Sequence, residues 1–149
     1  MPPFRFSHPI EVRYADLDPQ RHVNNATLFS YLEQARARYL QQLGLWNGED
    51  FDRIGIILAE ASATFKAPIA FTDRVSVELG VTRLGVKSLD IDYRVRDAQD
   101  RELATGRTVI VTYDYQKGES IPIPSQWRRI LAQFEGLDET PVPRSARGV

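Results

Sequence analysis

Twelve consecutive residues carry most of the reactive chemistry in this chain: Tyr14-Ala15-Asp16-Leu17-Asp18-Pro19-Gln20-Arg21-His22-Val23-Asn24-Asn25. Two carboxylates and an imidazole lie just before a segment with helical periodicity. The first turn of a helix presents main-chain N–H groups without intrahelical partners and roughly half a positive elementary charge. Such donors stabilise the oxyanion that forms when a carbonyl is attacked. A carboxylate a few residues upstream can reach the other side of the same carbonyl, so the arrangement suits acyl transfer. It equally suits plain helix capping, in which Asp and Asn side chains only satisfy the orphan donors.

The rest of the composition narrows the chemistry. The chain has 149 residues, no cysteine and only two histidines, His8 and His22. Thiolate catalysis, disulfides and cysteine-based metal sites are therefore excluded, and no His-rich metal site can form. No serine sits in a G-x-S-x-G elbow. A formal net charge of -1 gives no basic excess for nucleic acid. No apolar run reaches the roughly 18–20 residues of a membrane span. The N-terminal Met1-Pro2-Pro3-Phe4-Arg5 has no apolar signal core, so a cytoplasmic location is expected.

The elements that must position these residues follow from periodicity. Ile10, Val12 and Tyr14 alternate with Glu11 and Arg13, predicting a strand over 10–14. From about Ala26 to Leu43 the apolar residues Leu28, Phe29, Leu32, Ala35, Tyr39 and Leu40 form one stripe, and Gly44 supplies the stop. Four strands are then expected: Ile56–Phe65, one beginning at Val75, one beginning at Ser88 and Leu103–Tyr115. The two connections around Gly85 and Asp97-Ala98-Gln99-Asp100 read as hairpin turns of an antiparallel meander. A short helix over Gln126–Phe134 follows. The expected fold is α+β, with a long central helix wrapped by a curved antiparallel sheet. Residues 1–135 are expected to form the single domain, and 136–149 a flexible C-terminal tail.

The stretch also resembles the signature of the 4-hydroxybenzoyl-CoA thioesterase family of hot-dog proteins, D-x-D-x-x-G-H-V-N-N followed by Y-x-x-Y-x-E-x-A-R. Asp16, Asp18, His22, Val23, Asn24 and Asn25 match it, then Tyr31, Glu33, Ala35 and Arg36 at the same offsets. The likeness continues through Leu84-Gly85-Val86-Lys87-Ser88-Leu89, Leu103-Ala104-Thr105-Gly106-Arg107 and Tyr113-Asp114. Two positions depart from it. Arg21 stands where the family usually has glycine, so either a left-handed residue costs about 1 kcal/mol or the loop changes conformation. Leu28 replaces the first tyrosine of the helix pattern.

The resemblance implies a hot-dog fold and hydrolysis of an acyl- or aroyl-coenzyme A thioester. It implies that Asp18 is the catalytic carboxylate, as nucleophile or general base, with the main-chain N–H of Asn25 as oxyanion donor and His22 beside them. Asn24 is expected at the helix cap, in contact with substrate. Lys66, Arg83, Lys87 and Ser88 lie in segments that border the coenzyme A groove of similar proteins. Asp16 reads more simply as a turn or capping residue. Neither metal nor cofactor is expected, because coenzyme A belongs to the substrate. The family pairs subunits edge to edge, which predicts a homodimer or homotetramer. The rival readings are a thioesterase acting on acyl carrier protein and a non-catalytic acyl-CoA-binding module.

Overall fold

A computed structural model describes residues 4–50 and 54–144. Six strands form one antiparallel sheet in the order β1-β3-β4-β5-β2, with β6 paired to β5. They are β1 (Phe6–Ile10), β2 (Ile54–Phe65), β3 (Val75–Leu84), β4 (Ser88–Arg96), β5 (Glu102–Asp114) and β6 (Glu119–Ser120). The helices are α1 (Asn25–Gln42) and α2 (Ser125–Glu135). Together they form the hot-dog arrangement, with α1 laid against a curved sheet.

The apolar alternation expected of the strands is what builds the core. Val75, Val77, Leu79 and Val81 of β3, with Ile91, Tyr93 and Val95 of β4, are buried beneath Leu28, Leu32, Ala35 and Tyr39 of α1. Bulges between Leu58 and Glu60 and between Val81 and Arg83 add twist where the sheet bends. Gly106 lets the helix approach β5: a Cβ there would lie 3.0 Å from Leu32 Cδ1 and 3.1 Å from the Ser62 carbonyl.

The first strand lies earlier than its alternation predicts. Ladder pairing ends at Ile10, opposite Val75 where β3 begins, so Glu11 onward has no strand to join. Tyr14–Asp16 instead form a single 3-10 turn, and Tyr14 is 82% exposed. Pro9 is tolerated within β1 because that strand has only one neighbour. At the other margin β2 also pairs on one side only, through β5, and residues 57–62 are exposed.

Helix α1 has the boundaries its stripe predicts, within a residue. Asn24 caps its start by accepting from Ala26 N at 2.8 Å. Gly44, at φ 75, ends it, and the Leu45 N–H donates to the Leu40 carbonyl at 2.9 Å. Tyr39 Oη donates to Glu135 Oε2 at 2.6 Å, tying α1 to the end of α2. Beyond Gly136 the chain turns back over the sheet. Val142 N donates to the Leu84 carbonyl at 2.8 Å, and Arg83 Nη1 donates to the Val142 carbonyl at 2.8 Å. The last part of the expected tail, 145–149, lies outside the described residues.

Candidate active site

The loop between the 3-10 turn and α1 is a small closed hairpin. Leu17 bridges Val23, and the Asp18 N–H donates to the His22 carbonyl at 3.0 Å. At its tip the Arg21 N–H donates to the Asp18 carbonyl at 2.8 Å. Pro19 fits the second position of such a turn, because its ring fixes φ near the required value. Arg21 then takes φ 68, the left-handed residue that closes a three-residue hairpin loop. The loop thus keeps the glycine conformation although it carries an arginine.

The Asp18 carboxylate folds back over this turn. Its Oδ1 accepts from Gln20 N at 2.9 Å, and among the described residues its other oxygen has no hydrogen-bond partner. The helix start supplies the complementary donor. Ala26 N is capped by the Asn24 side chain, and Thr27 N and Leu28 N donate to the Asn24 carbonyl at 2.9 and 3.2 Å. Asn25 N is the first-turn donor left without a partner among the described residues. Asn24 therefore works as the cap, as its residue type predicts.

Asp18 and Asn25 both line one groove of about 350 Å³. Asp18, His22, Asn25 and Leu28 form one wall, and Phe65, Lys66 and Ile69 the other. Val23 N donates to the Ile69 carbonyl at 2.9 Å and so holds the walls together. Leu103 and Ala104 of β5 complete the floor. The far wall comes from a different strand and connection; only the family resemblance through Lys66 and the Pro68 break after Phe65 hint at it in the sequence. A larger depression of about 910 Å³ lies on the other face of the sheet. Its charges are spent on one another: Arg94 with Glu78 at 3.1 Å, and Arg107 with Asp92 at 2.5 Å.

Of the cations expected around substrate, Lys66 borders the groove, paired with Glu102. Arg83, Lys87 and Ser88 are not brought to it within this chain. Lys87 and Ser88 lie beside Thr112 and Val111, whereas the groove reaches β5 at Ala104. From Ala104 to Val111 the strand advances about 23 Å. Arg83 is engaged there with Ser88 Oγ at 2.8 Å and Asp90 Oδ1 at 2.9 Å.

Asp16 is more than a turn residue. Only 2% exposed, it accepts from Tyr31 Oη at 2.7 Å, from Arg13 N at 2.9 Å and from the Arg13 guanidinium at 3.0 and 3.2 Å. Burial opposes its ionisation, but these hydrogen bonds outweigh burial and hold its carboxyl below the ordinary value. Burial first, and then the bond to Asp16, push the Tyr31 hydroxyl well above its ordinary value.

Wider comparison agrees with this fold. The profile of the thioesterase-like superfamily matches residues 12–134, and the chain belongs to that family. A 1,4-dihydroxy-2-naphthoyl-CoA hydrolase of Synechococcus elongatus is 28% identical over 127 residues, covering 81% of this chain and 93% of that protein. A thioesterase from Thermus thermophilus, solved with coenzyme A and Zn, is 32% identical with a TM-score of 0.79. That alignment covers 93% of this chain and 100% of the other. A 1,4-dihydroxy-2-naphthoyl-CoA thioesterase from Synechocystis, at 24% identity, shares the fold with a TM-score of 0.76 over 85% of this chain and 95% of the other.

Proposed function

We propose that this protein hydrolyses the thioester of an acyl- or aroyl-coenzyme A. One observation carries the reading: Asp18 and Asn25 line the same groove, and a carboxylate oxygen of the first and the N–H of the second have no protein partner among the described residues. The similarity to proteins named for coenzyme A thioesters supports the substrate class.

A thioester carbonyl placed between these groups is polarised by the Asn25 N–H. As nucleophile, Asp18 adds to the carbonyl carbon, and the charge collects on the carbonyl oxygen facing the helix start. Collapse breaks the C–S bond, the coenzyme A thiolate takes a proton, and a mixed anhydride remains. Water then opens the anhydride, releasing the acid and restoring the carboxylate. As general base, Asp18 instead takes a proton from the attacking water, and the same N–H holds the same oxyanion. Loss of one such donor typically costs about 3–4 kcal/mol of barrier, which is why one amide is a substantial part of the site. His22, on the groove wall, is assigned to orient substrate. Neither route calls for a cofactor.

The active form in this reading is a homodimer or a tetramer of such pairs. β2 is a twelve-residue strand with one free edge, and its Leu58 and Phe65 are 48% and 44% exposed. A long edge of this kind is a template for pairing with another strand. Antiparallel pairing with a second copy would bring the partner's opposite sheet end toward this groove, and with it a second set of Arg83, Lys87 and Ser88 for the coenzyme A phosphates. No described helix is long and apolar enough to cross a membrane, and the expected location is the cytoplasm.

The test is release of free thiol from a panel of aliphatic and aromatic acyl-CoAs, with the matching acyl carrier protein thioesters alongside. Saturable turnover of at least one acyl-CoA is expected. Turnover confined to the carrier-protein thioesters, or tight acyl-CoA binding with no thiol release, would replace this reading with one of its rivals.

A further inference from the structure

We infer that the buried Asp16–Tyr31 pair is the positioning device of the site, fixing Asp18 relative to the N–H of Asn25; this rests on the thioesterase reading above. Both ends of the loop converge on Asp16. Its main-chain carbonyl accepts from Asn24 N at 3.0 Å, immediately before Asn25. Asp18 follows it by two residues. Its side chain joins Arg13, where the chain leaves the first strand, and Tyr31, which stands in the second turn of α1. One residue thus touches the start of the loop, its end and the body of the helix.

The hydroxyl of Tyr31 is the element of this junction that does not belong to the loop. Arg13 lies on the same segment as Asp16, and its side chain is 72% exposed, so it follows the loop if the loop shifts. Tyr31 is buried in the core at 5% exposure and moves only with α1. An O–H donating to a buried carboxylate at 2.7 Å is a short, charge-assisted bond with a narrow angular range. Of the loop's other hydrogen bonds, Asp18 to His22 and Arg21 to Asp18 close it on itself and would survive a tilt, whereas Val23 N to the Ile69 carbonyl at 2.9 Å fixes only its end next to Asn24. Removing the hydroxyl therefore frees the Asp16–Asp18 side of the hairpin to tilt about its anchored Val23–Asn24 end without unfolding it. A tilt of about an ångström at the reacting atoms is enough to cost up to roughly 100-fold in rate. The phosphates of coenzyme A, assigned above to Arg83, Lys87 and Ser88 of a second copy, are held outside this loop.

The experiment compares Tyr31→Phe with wild type in the full chain, using hexanoyl-CoA and benzoyl-CoA as substrates, with the affinity for free coenzyme A measured by calorimetry. Phenylalanine keeps the buried ring, and circular dichroism of the variant checks that it folds as wild type does. The expected result is a fall in kcat of about 10- to 100-fold, with KM and coenzyme A affinity within about 2-fold of wild type. Faster amide hydrogen exchange confined to residues 14–25 is expected alongside it. A kcat within about 2-fold of wild type would overturn the positioning role while leaving the thioesterase reading intact. So would a loss carried by KM and coenzyme A affinity. A wild type that hydrolyses neither these nor other acyl-CoAs would overturn the functional reading, and the positioning role with it.

Discussion

The Arg21 main-chain N–H donates to the Asp18 carbonyl at 2.8 Å while Arg21 itself sits at φ 68. The turn that aims the Asp18 carboxylate is thus closed by a side-chain-bearing residue in a conformation that glycine adopts freely. A side chain with a Cβ in the left-handed region costs about 1–2 kcal/mol, part of which glycine gives back as unfolded-chain entropy.

Arg21→Gly is accordingly expected to raise the unfolding free energy by about 1 kcal/mol. Because the loop already has the glycine conformation, kcat should stay within about 2-fold of wild type. Urea titration and thiol-release kinetics check the two halves.

The Asp16 carboxyl gives stability a defined pH dependence. Its native value lies below the unfolded one, so its stabilisation is complete above the unfolded value of about 3.9 and is lost as pH falls through the lower native value. Asp16→Asn is expected to lower stability by about 2 kcal/mol near neutrality. The gap from wild type should hold from about pH 7 to 5 and close below about pH 4. Urea titrations at stepped pH measure this directly; a gap that persisted unchanged to about pH 3 would contradict it.

The free edge of β2 predicts self-association through that strand. Leu58→Arg places a charge on a half-exposed apolar position of the edge. Light scattering should show wild type at twice the 17.0 kDa chain mass or a multiple of it, and the variant shifted toward 17.0 kDa.

Much of this was legible in the residues, and the exceptions have physical causes. The stripe of α1 and the alternation of β3 and β4 located those elements because one face of each had to be buried. The same rule misplaced the first strand, since Val12 and Tyr14 continue the alternation past Ile10, where the ladder ends. Asp18, His22, Asn24 and Asn25 are neighbours in sequence and fall together on the loop and helix start. The opposite wall, from Phe65 to Ile69, belongs to another strand and connection, and only the family resemblance through Lys66 and the break at Pro68 point to it. Asp16 looked like an ordinary turn acid because its burial depends on Tyr31, 15 residues away. Arg83, Lys87 and Ser88 lie away from this chain's own groove, because sequence spacing does not say which end of a sheet a hairpin occupies; in the proposed assembly a second copy supplies them.

The central claim is that the Asp18 carboxylate acts on a carbonyl held by the Asn25 N–H. Asp18→Asn keeps the size and the main-chain bonds of the turn while removing the charge, and single-turnover thiol release from an acyl-CoA that the wild type hydrolyses measures its effect on the chemical step. A loss of at least about 100-fold with coenzyme A affinity retained is expected; release at the wild-type rate would show that Asp18 does not carry the chemical step.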